Sequence, residues 1–293
     1  MAVLGVLGGS GLYEIDGLTD RRSQRVTSPW GEVSDEIVTG RLSGLDVAFL
    51  PRHGKGHRLS PGGINYRANI DALKRLGVTD ILSLSACGSF REELAPGTFV
   101  LVDQFIDRTF AREKSFFGNG LVAHVSMAEP VCGRLGELVV QAAHALDLPL
   151  ARGGTYLAME GPQFSSRAES ELYRAWGCDV IGMTNMPEAK LAREAEICYA
   201  TVAMVTDYDC WHDDHGAVEV ATIVEVLHRN ADAGRALVKA VAPLLVADRP
   251  ETCPRGCDRA LDHALITAPA AREAALVAKL DAVAGRVLSP REK

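Results

Sequence analysis

Short apolar segments alternate along this chain with longer amphipathic ones, and this alternation constrains the fold more than any other feature. The apolar segments are typical of buried strands and cover residues 3–7, 46–50, 80–84, 98–102, 179–181 and 198–205. The amphipathic segments have helical spacing and cover residues 65–76, 134–146, 166–176, 187–196 and 218–245. This order predicts an α/β fold in three α/β/α layers, with helices on both faces of a central sheet. Because several strands are short and irregularly spaced, we expect a mixed sheet.

The length of 293 residues suits a single large α/β domain. The composition changes only after residue 245: residues 247–256 are rich in Pro, Arg, Asp and Gly, and residues 260–288 are Ala-rich with a helical pattern. Such a tail is too short to bury a core of its own. We therefore predict one domain over residues 1–293, in which residues 247–293 form a connector and a helical tail packed on the main body.

The charge balance of 31 basic and 38 acidic residues gives a net charge of -7. This argues against nucleic acid as a partner, because binding to a phosphate backbone requires a basic face. No stretch is apolar for long enough to span a bilayer, and the apolar first residues run into glycines as a first strand would. We expect no membrane partner and a cytoplasmic location.

Seven cysteines, an odd number without regular spacing, are typical of a protein of the reducing cytosol. Five stand in apolar or semi-apolar segments and are expected in the core; they are Cys87, Cys132, Cys178, Cys198 and Cys210. Cys253 and Cys257 instead flank a polar turn. A metal site there would need more ligands than the neighbouring sequence supplies, which leaves a local disulfide or two free surface thiols.

Two acidic residues close the apolar, β-branched segment ATVAMVTDYDCW at residues 200–211. In an extended strand, residues two apart point to the same side, so Asp207 and Asp209 would face one site. Two buried carboxyl groups are costly unless something binds them, and a purine edge offers them a ring nitrogen and an amine. The other interpretation is a solvated acidic loop, because residues 212–215 continue the polar run.

Three loops with small, hydroxyl or cationic residues also follow predicted strands. Residues 8–11 offer glycines and a serine hydroxyl to an anion, although a tight turn accounts for them too, and they match neither the dinucleotide fingerprint nor a Walker loop. Residues 51–58 place Arg52 beside His53, a pair suited to clamping an anion. Residues 85–89 again present hydroxyl and small side chains, as a simple turn would. Because ligands of α/β sheets gather at strand ends, these loops and the acidic pair predict one pocket with a phosphate end and a base end.

Seven segments of the chain resemble the trimeric purine nucleoside phosphorylase family, and within it the enzymes that act on S-methyl-5′-thioadenosine. They are GVLGGSGLY, PRHGKGHRLSPGGINYRANI, SACGSFREELAPG, SMAEP, MEGPQFSSRAESELYRAWG, GMTNMPEAKLAREAEICYA and TDYDCW, in this order, between residue 4 and about residue 245. The resemblance implies an α/β/α sandwich around a mixed sheet. It further implies a homotrimer, or a dimer of such trimers, that binds a nucleoside and phosphate.

The resemblance also implies the site residues. The phosphate site would consist of Ser10, Arg52, His53, Ser85, the backbone of Ala86, and Thr184. The nucleoside would lie against Met183 at the ribose, Phe164 and Ser165 at the base, and Val220 and Ile223 at the 5′ group, with His124 supplied by a neighbouring subunit. Asp207 and Asp209 would read adenine at N7 and N6, and Asp207, His53 and Arg52 would be the catalytic residues.

Some positions depart from the family pattern. Ser10 and Ser85 stand where relatives often carry Thr, a change that keeps the hydroxyl, and Gln163 replaces a common Arg beside Phe164. Some archaeal members have disulfides and a cysteine-rich tail, so the resemblance allows a bond between Cys253 and Cys257.

The implied reaction is phosphorolysis of methylthioadenosine to adenine and 5-methylthioribose 1-phosphate, a pentosyl transfer of methionine and purine salvage. Phosphate is a co-substrate, and no metal or organic cofactor is implied. Three alternatives differ in the chemistry they require. A broader purine nucleoside phosphorylase would act on adenosine or on 6-oxopurine nucleosides such as inosine and guanosine. Enzymes of the 6-oxopurine nucleosides read the 6-oxo group with Asn or Glu, which the acidic pair argues against. A non-catalytic adenine-nucleoside sensor would bind without turnover. A histidine phosphatase would carry phosphate on His53, but its motif follows the first strand, whereas here a glycine loop does.

Overall fold

An eleven-stranded mixed sheet forms the centre of the computed structural model, which describes residues 2–9, 12, 14–212, 220–247 and 249–289, without the side chains of residues 220–225. The strands, β1 to β11, are Val3–Gly8, Thr19–Gln24, Ile37–Leu42, Leu45–Pro51, Asp80–Ser89, Phe99–Val102, Gln104–Asp107, Leu150–Arg152, Thr155–Ala158, Val180–Gly182 and Cys198–Asp207. The helices, α1 to α7, are Tyr66–Arg75, Gly133–Ala145, Arg167–Ala175, Asn185–Glu194, Val220–Ala247, Ala274–Lys279 and Asp281–Leu288. Each predicted strand and each predicted helix before residue 247 corresponds to one of these elements.

Strand β5 organises the sheet. It pairs in parallel with β1 on one side and with β11 along most of its length on the other. Its last residues, Gly88 and Ser89, pair in antiparallel fashion with β10. Antiparallel pairs also join β2 to β3, β3 to β4 and β6 to β11, so the prediction of a mixed sheet is confirmed.

Helices cover both faces of the sheet, because successive strand residues point to opposite sides. On one face, Leu7 and Ile81 of the sheet share a core with residues of α1, α4 and α7. On the other, the adjacent residues Val6 and Leu82 share a core with residues of α2 and α5. This arrangement confirms the predicted three layers. Among the described helices, none combines the length and the apolar character needed to cross a membrane.

The structure corrects two sequence predictions of secondary structure. Residues 85–89 are the end of strand β5 and not a loop, because small side chains let this segment continue between two neighbouring strands. Residues 260–288 are not one helix: regular α-helix occurs there only in α6 and α7, and the preceding residues form turns and a short 3₁₀ segment. Strand β2 had no apolar pattern to reveal it, since all six of its residues are exposed.

The tail also corrects the prediction for its two cysteines. Cys253 and Cys257 are buried and not on the surface, and both thiols are free, so neither the surface position nor the local disulfide holds. They pack against Cys132 and Cys198 of the main body in a small buried cluster. Partners so distant in sequence could not be found by inspecting the residues near the turn.

Candidate active site

A cavity of about 620 Å³ opens at the carboxyl ends of β1, β4, β5 and β11. Since these four strands are parallel, their ends meet at one edge of the sheet. Nine of the sequence-predicted site residues line this cavity: Arg52, His53, Ser85, Ala86, Phe164, Met183, Thr184, Asp207 and Asp209. The prediction that distant segments form one pocket is therefore supported by the geometry.

Five predicted residues remain, and the two of them whose side chains the structure describes, Ser165 and His124, are not among those lining the cavity. Ser165 lies beside it, where its hydroxyl donates to the sulfur of Met159 at 3.8 Å. His124 is exposed, and its backbone N–H donates to the carbonyl of Ala264 in the tail. Ser10 lies outside the described residues, as do the side chains of Val220 and Ile223. The roles predicted for these five stay predictions.

The carboxyl group of Asp207 marks one end of the cavity. Its Oδ2 accepts a hydrogen bond from the Thr206 hydroxyl at 2.6 Å, and its Oδ1 accepts one from the backbone N–H of Asp209 at 2.8 Å. Burial raises the pKa of Asp207, and these two hydrogen bonds offset the shift only in part. A carboxyl group with a raised pKa can carry a proton to a ligand near neutral pH.

Asp209 lines the cavity as predicted, but its backbone is not part of the strand that carries Asp207. Strand β11 ends at Asp207, and Asp209 lies in a turn with a positive φ of 52°. The two acids are therefore not alternate residues of one strand; the turn itself brings them together. Asp209 is buried, and burial and the charge of Asp207 both raise its pKa. Among the described residues, no group hydrogen-bonds its Oδ2, so this buried oxygen is available to a ligand.

Gly88 of strand β5 makes room for this acidic end. A Cβ atom at this position would lie 2.9 Å from Oδ1 of Asp207 and 3.2 Å from Cγ2 of Ile181. Both distances are shorter than ordinary carbon contacts, so a larger residue would displace the carboxyl group. The predicted segment 85–89 thus contributes to both ends of the cavity.

Two hydroxyl groups mark the other end. The Ser85 and Thr184 oxygens are 3.0 Å apart, and both residues are buried. Ser85 comes from the second half of β5, and Thr184 directly precedes α4. Hydroxyl groups both donate and accept hydrogen bonds, so this pair can donate to an anion without carrying charge.

The imidazole of His53 is neutral at this end of the cavity. Its Nδ1 lies 2.9 Å from the carbonyl oxygen of Leu59, so Nδ1 donates and Nε2 has a free lone pair. The pKa of His53 is lowered to about 4, mainly by burial and in smaller part by the positive charge of Arg52. The ring also stacks on His57, with centroids 4.1 Å apart. His53 therefore offers a hydrogen-bond acceptor and not the positive charge that the sequence suggested.

Arg52 is buried with its guanidinium already paired. Nε and Nη2 donate to the two carboxylate oxygens of Glu188 at 3.0 and 3.2 Å. Further donations go to the carbonyls of Leu7 and Leu84 and to the Ser83 hydroxyl, at 2.7 to 3.1 Å. These contacts leave one N–H of Nη1 without an acceptor among the described residues. Arg52 therefore does not offer a bidentate contact to phosphate in this structure, because its Nε and Nη2 donate to Glu188.

Comparisons with known proteins assign the family. Residues 3–243 match the sequence profile of the phosphorylase superfamily. The chain belongs to this superfamily. It is 67% identical over 286 residues to an S-methyl-5′-thioadenosine phosphorylase of Cereibacter sphaeroides, with 98% of each chain covered. It is 66% identical to the enzyme of the same name from Rhodospirillum rubrum, over 98% of this chain and 97% of that one.

Solved structures of the phosphorylase superfamily agree with the fold. A methylthioadenosine phosphorylase from an Antarctic soil metagenomic library superposes with a TM-score of 0.90 and 47% identity, over 96% of this chain and 98% of that one. A mutant adenosine/methylthioadenosine phosphorylase of Schistosoma mansoni in complex with methylthioadenosine has a TM-score of 0.80 and 37% identity, over 85% and 93% of the two chains.

Arg112 shapes the cavity of this phosphorylase and was missed by sequence reasoning. Its Nη1 donates to the carbonyl of Met183 at 2.6 Å, its Nη2 to the carbonyl of Glu160 at 2.6 Å, and its Nε to the Glu160 carboxylate at 3.0 Å. It thereby ties together two segments that carry cavity-lining residues. No local pattern distinguishes this arginine from those on the surface, so its role was visible only in three dimensions.

Fifteen further residues, none of them predicted from the sequence, also line the cavity of this phosphorylase. They are Gly9, Leu12, His57, Pro61, Leu84, Cys87, Gly88, Met159, Ile181, Gly182, Met204, Thr206, Leu227, His228 and Ala231. Six of them lie in segments that the sequence did single out, so the pattern located the segment without indicating each contact: Gly9, His57, Cys87, Gly88, Met204 and Thr206. The others are mostly apolar residues with no local sign of a binding role.

Proposed function

We propose that this chain catalyses phosphorolysis of S-methyl-5′-thioadenosine to adenine and 5-methylthioribose 1-phosphate. One observation carries the proposal: a single cavity has an acid pair at one end, the half-buried Asp207 and the buried Asp209, and a buried hydroxyl pair at the other. A purine with an exocyclic amine suits the first end, and phosphate suits the second. The high identity to enzymes named for this activity supports the same choice.

In this mechanism, phosphate lies against Ser85, Thr184 and the Ala86 backbone and attacks C1′ of the ribose. The C1′–N9 bond breaks, and its electron pair moves into the purine ring. Asp207 donates its proton to N7, so that adenine leaves as a neutral base. A new bond between a phosphate oxygen and C1′ completes the exchange. Phosphate is the co-substrate, and no metal or organic cofactor takes part.

Recognition of adenine rests on the two acids in this proposal. The unsatisfied Oδ2 of Asp209 accepts a hydrogen bond from the N6 amine. A 6-oxopurine would place an acceptor there, opposite another acceptor. A site built from specific polar groups rejects such a mismatch strongly, because buried groups are left unpaired.

The positive charge that holds phosphate is limited in this proposal. Arg52 is neutralised by Glu188, and His53 is uncharged. Phosphate is bound by hydrogen bonds from hydroxyl and backbone groups, and by the one remaining N–H of Arg52. Bound phosphate would raise the pKa of His53, since an anion favours the protonated imidazole.

The assembly is part of the same proposal. We infer a homotrimer, in which the exposed His124 completes the 5′ pocket of a neighbouring subunit together with Val220 and Ile223 of that subunit. The exposure of His124 in the isolated chain is compatible with such a contact. A cytoplasmic location fits the free thiols of the described cysteines, because a reducing compartment preserves them.

A product assay tests the proposal directly. The protein is incubated with methylthioadenosine, adenosine or inosine, each with and without phosphate, and the free base is separated and measured. We expect adenine release that requires phosphate and is fastest from methylthioadenosine. Base release without phosphate would indicate a hydrolase. Preferential release of hypoxanthine would indicate a 6-oxopurine phosphorylase.

A further inference from the structure

Four buried cysteines from three parts of the chain meet far from the residues assigned to the reaction. Cys132 directly precedes α2, Cys198 begins β11, and Cys253 and Cys257 flank the turn in the tail. Their sulfur atoms all lie within 4.8 Å of one another. All four side chains are buried, and all four thiols are free.

We propose that Cys132, Cys198, Cys253 and Cys257 form a tetrahedral four-thiolate site for Zn²⁺. Structural zinc prefers four cysteine sulfurs at about 2.3 Å, which places neighbouring sulfurs about 3.8 Å apart. The sulfurs of Cys132 and Cys253 are 3.7 Å apart, close to that tetrahedral edge. Two disulfides would instead divide the four sulfurs into separate pairs, whereas here every sulfur is near each of the other three.

Four thiolates around one Zn²⁺ carry a net charge of about -2. Cationic groups and hydrogen-bond donors around the cluster would stabilise this negative charge. The guanidinium of Arg134 lies against the sulfur of Cys198. Nε and Nη1 of Arg134 are buried and have no hydrogen-bond acceptor among the described residues. These two donors are therefore available to thiolate sulfur.

One acid beside the cluster, Asp80, is itself neutralised. Asp80 pairs with Arg134 and also with Arg249, whose Nε lies 2.8 Å from its Oδ2. Two arginines therefore face this carboxylate, and a second acid, Asp258, accepts a hydrogen bond from the backbone N–H of Cys253 at 2.8 Å. The backbone N–H groups of Leu135 and Cys257 also lie near the sulfurs of Cys132 and Cys253. Outer groups of this kind are typical partners of metal ligands.

The site would fasten the tail to the main body. Cys132 and Cys198 belong to the central fold, and Cys253 and Cys257 lie at the start of the tail. A few residues further on, Leu265 pairs with Ala123, and Ala264 accepts a hydrogen bond from the backbone of His124. Zinc would thereby also hold the segment that carries His124 in place.

Metal analysis of the full chain tests the site. The protein is produced with zinc in the medium, purified under reducing conditions without chelator, and analysed by mass spectrometry for bound metals. We expect about one zinc per chain, as a closed four-ligand site requires. Cys257→Ser should lose zinc by at least about tenfold, as the loss of one of four ligands predicts. Cys178→Ser, which alters a buried cysteine outside the cluster, should retain it.

A second measurement covers the case in which Cys257→Ser does not fold. Zinc is removed from the unmodified protein by a chelator under reducing conditions, and Co²⁺ is added. We expect thiolate-to-cobalt absorption typical of four sulfur ligands, and protection of four thiols from a thiol reagent in the native state.

Three outcomes would overturn the proposal. The first is a protein that binds no zinc and gives no cobalt spectrum after loading under reducing conditions. The second is disulfides among these four cysteines in freshly purified, alkylated protein. The third is a metal other than zinc at the site.

Discussion

Glu188 accepts two hydrogen bonds from the guanidinium of Arg52 beneath the hydroxyl end of the cavity, and both side chains are only 2% exposed. The pair links the segment directly after β4 with α4, which begins directly after the predicted phosphate ligand Thr184. Arg52 therefore has a structural part in the site whether or not its last N–H reaches phosphate. Mutation can separate this structural role of Arg52 from a direct role in binding phosphate.

Replacing Arg52 alone should destabilise the protein. Arg52→Met leaves the Glu188 carboxylate buried without its partner, which typically lowers the free energy of unfolding by about 3–5 kcal/mol. The double variant Arg52→Met/Glu188→Met removes both charges and should recover most of that loss in urea unfolding. The KM for phosphate in the double variant then isolates the direct contact. If it returns to the value of the unmodified protein, Arg52 does not bind phosphate.

Asp207→Asn should lose turnover on methylthioadenosine by about 10²-fold or more, because an amide cannot donate the proton that N7 requires. The loss should lie mainly in kcat, since this proton transfer belongs to the transition state. Asp46→Asn, at an exposed acid of β4, is the matched control. Unchanged kcat in the Asp207 variant would remove this acid from the reaction.

The neutral His53 should make stability depend on pH. Its pKa is about 4 in the folded protein and near 6.5 in an unfolded chain, so between these values the unfolded state binds more protons. Folding stability is therefore lost as pH falls from about 6.5 to about 4, by up to about 3 kcal/mol. Urea unfolding at several pH values should show a shallower loss for His53→Gln. His144→Gln, at the exposed end of α2, should behave as the unmodified protein, and equal slopes for all three would refute the assignment.

Gly88→Ala should impair use of the nucleoside more than binding of phosphate. The new methyl group would lie 2.9 Å from Oδ1 of Asp207 and force that carboxyl group away from N7. We expect kcat/KM for methylthioadenosine to fall by about tenfold or more, as small misplacements of catalytic groups do, with little change in the KM for phosphate. Gly118→Ala is the control, because a Cβ there meets nothing within 4 Å. Equal effects of the two substitutions would contradict the close approach.

The sequence was sufficient for the layers of the fold but not for its edges. Strands such as β1 and β11 are buried and apolar, so composition alone reveals them. Strand β2 is exposed at the edge of the sheet, where no apolar residue is needed and no pattern arises. Residues 85–89 resemble a turn in composition, yet pairing partners on both sides make them a strand.

The candidate site was predictable where chemistry is local and not where it depends on contacts across the chain. Asp207 and Asp209 stand out in sequence because acids rarely follow an apolar strand. Glu188, which neutralises the charge of Arg52 at the other end of the cavity, does not stand out in the sequence, because it is 136 residues from Arg52. The same distance effect concealed the thiol cluster, since Cys132 and Cys253 are 121 residues apart.

Strand β5 sets the distance between the two ends of the cavity. Ser85 at the hydroxyl end and Gly88 at the acidic end are three residues apart on one strand, which is about 10 Å. Neighbouring strands bind this segment through their hydrogen bonds and keep it from sliding. In the proposed reaction, the separation between phosphate and the far edge of the purine would therefore be set by the backbone of β5. In the proposed reaction, β5 does not span the 5′ side of the sugar, so we expect differences in substrate range to arise there.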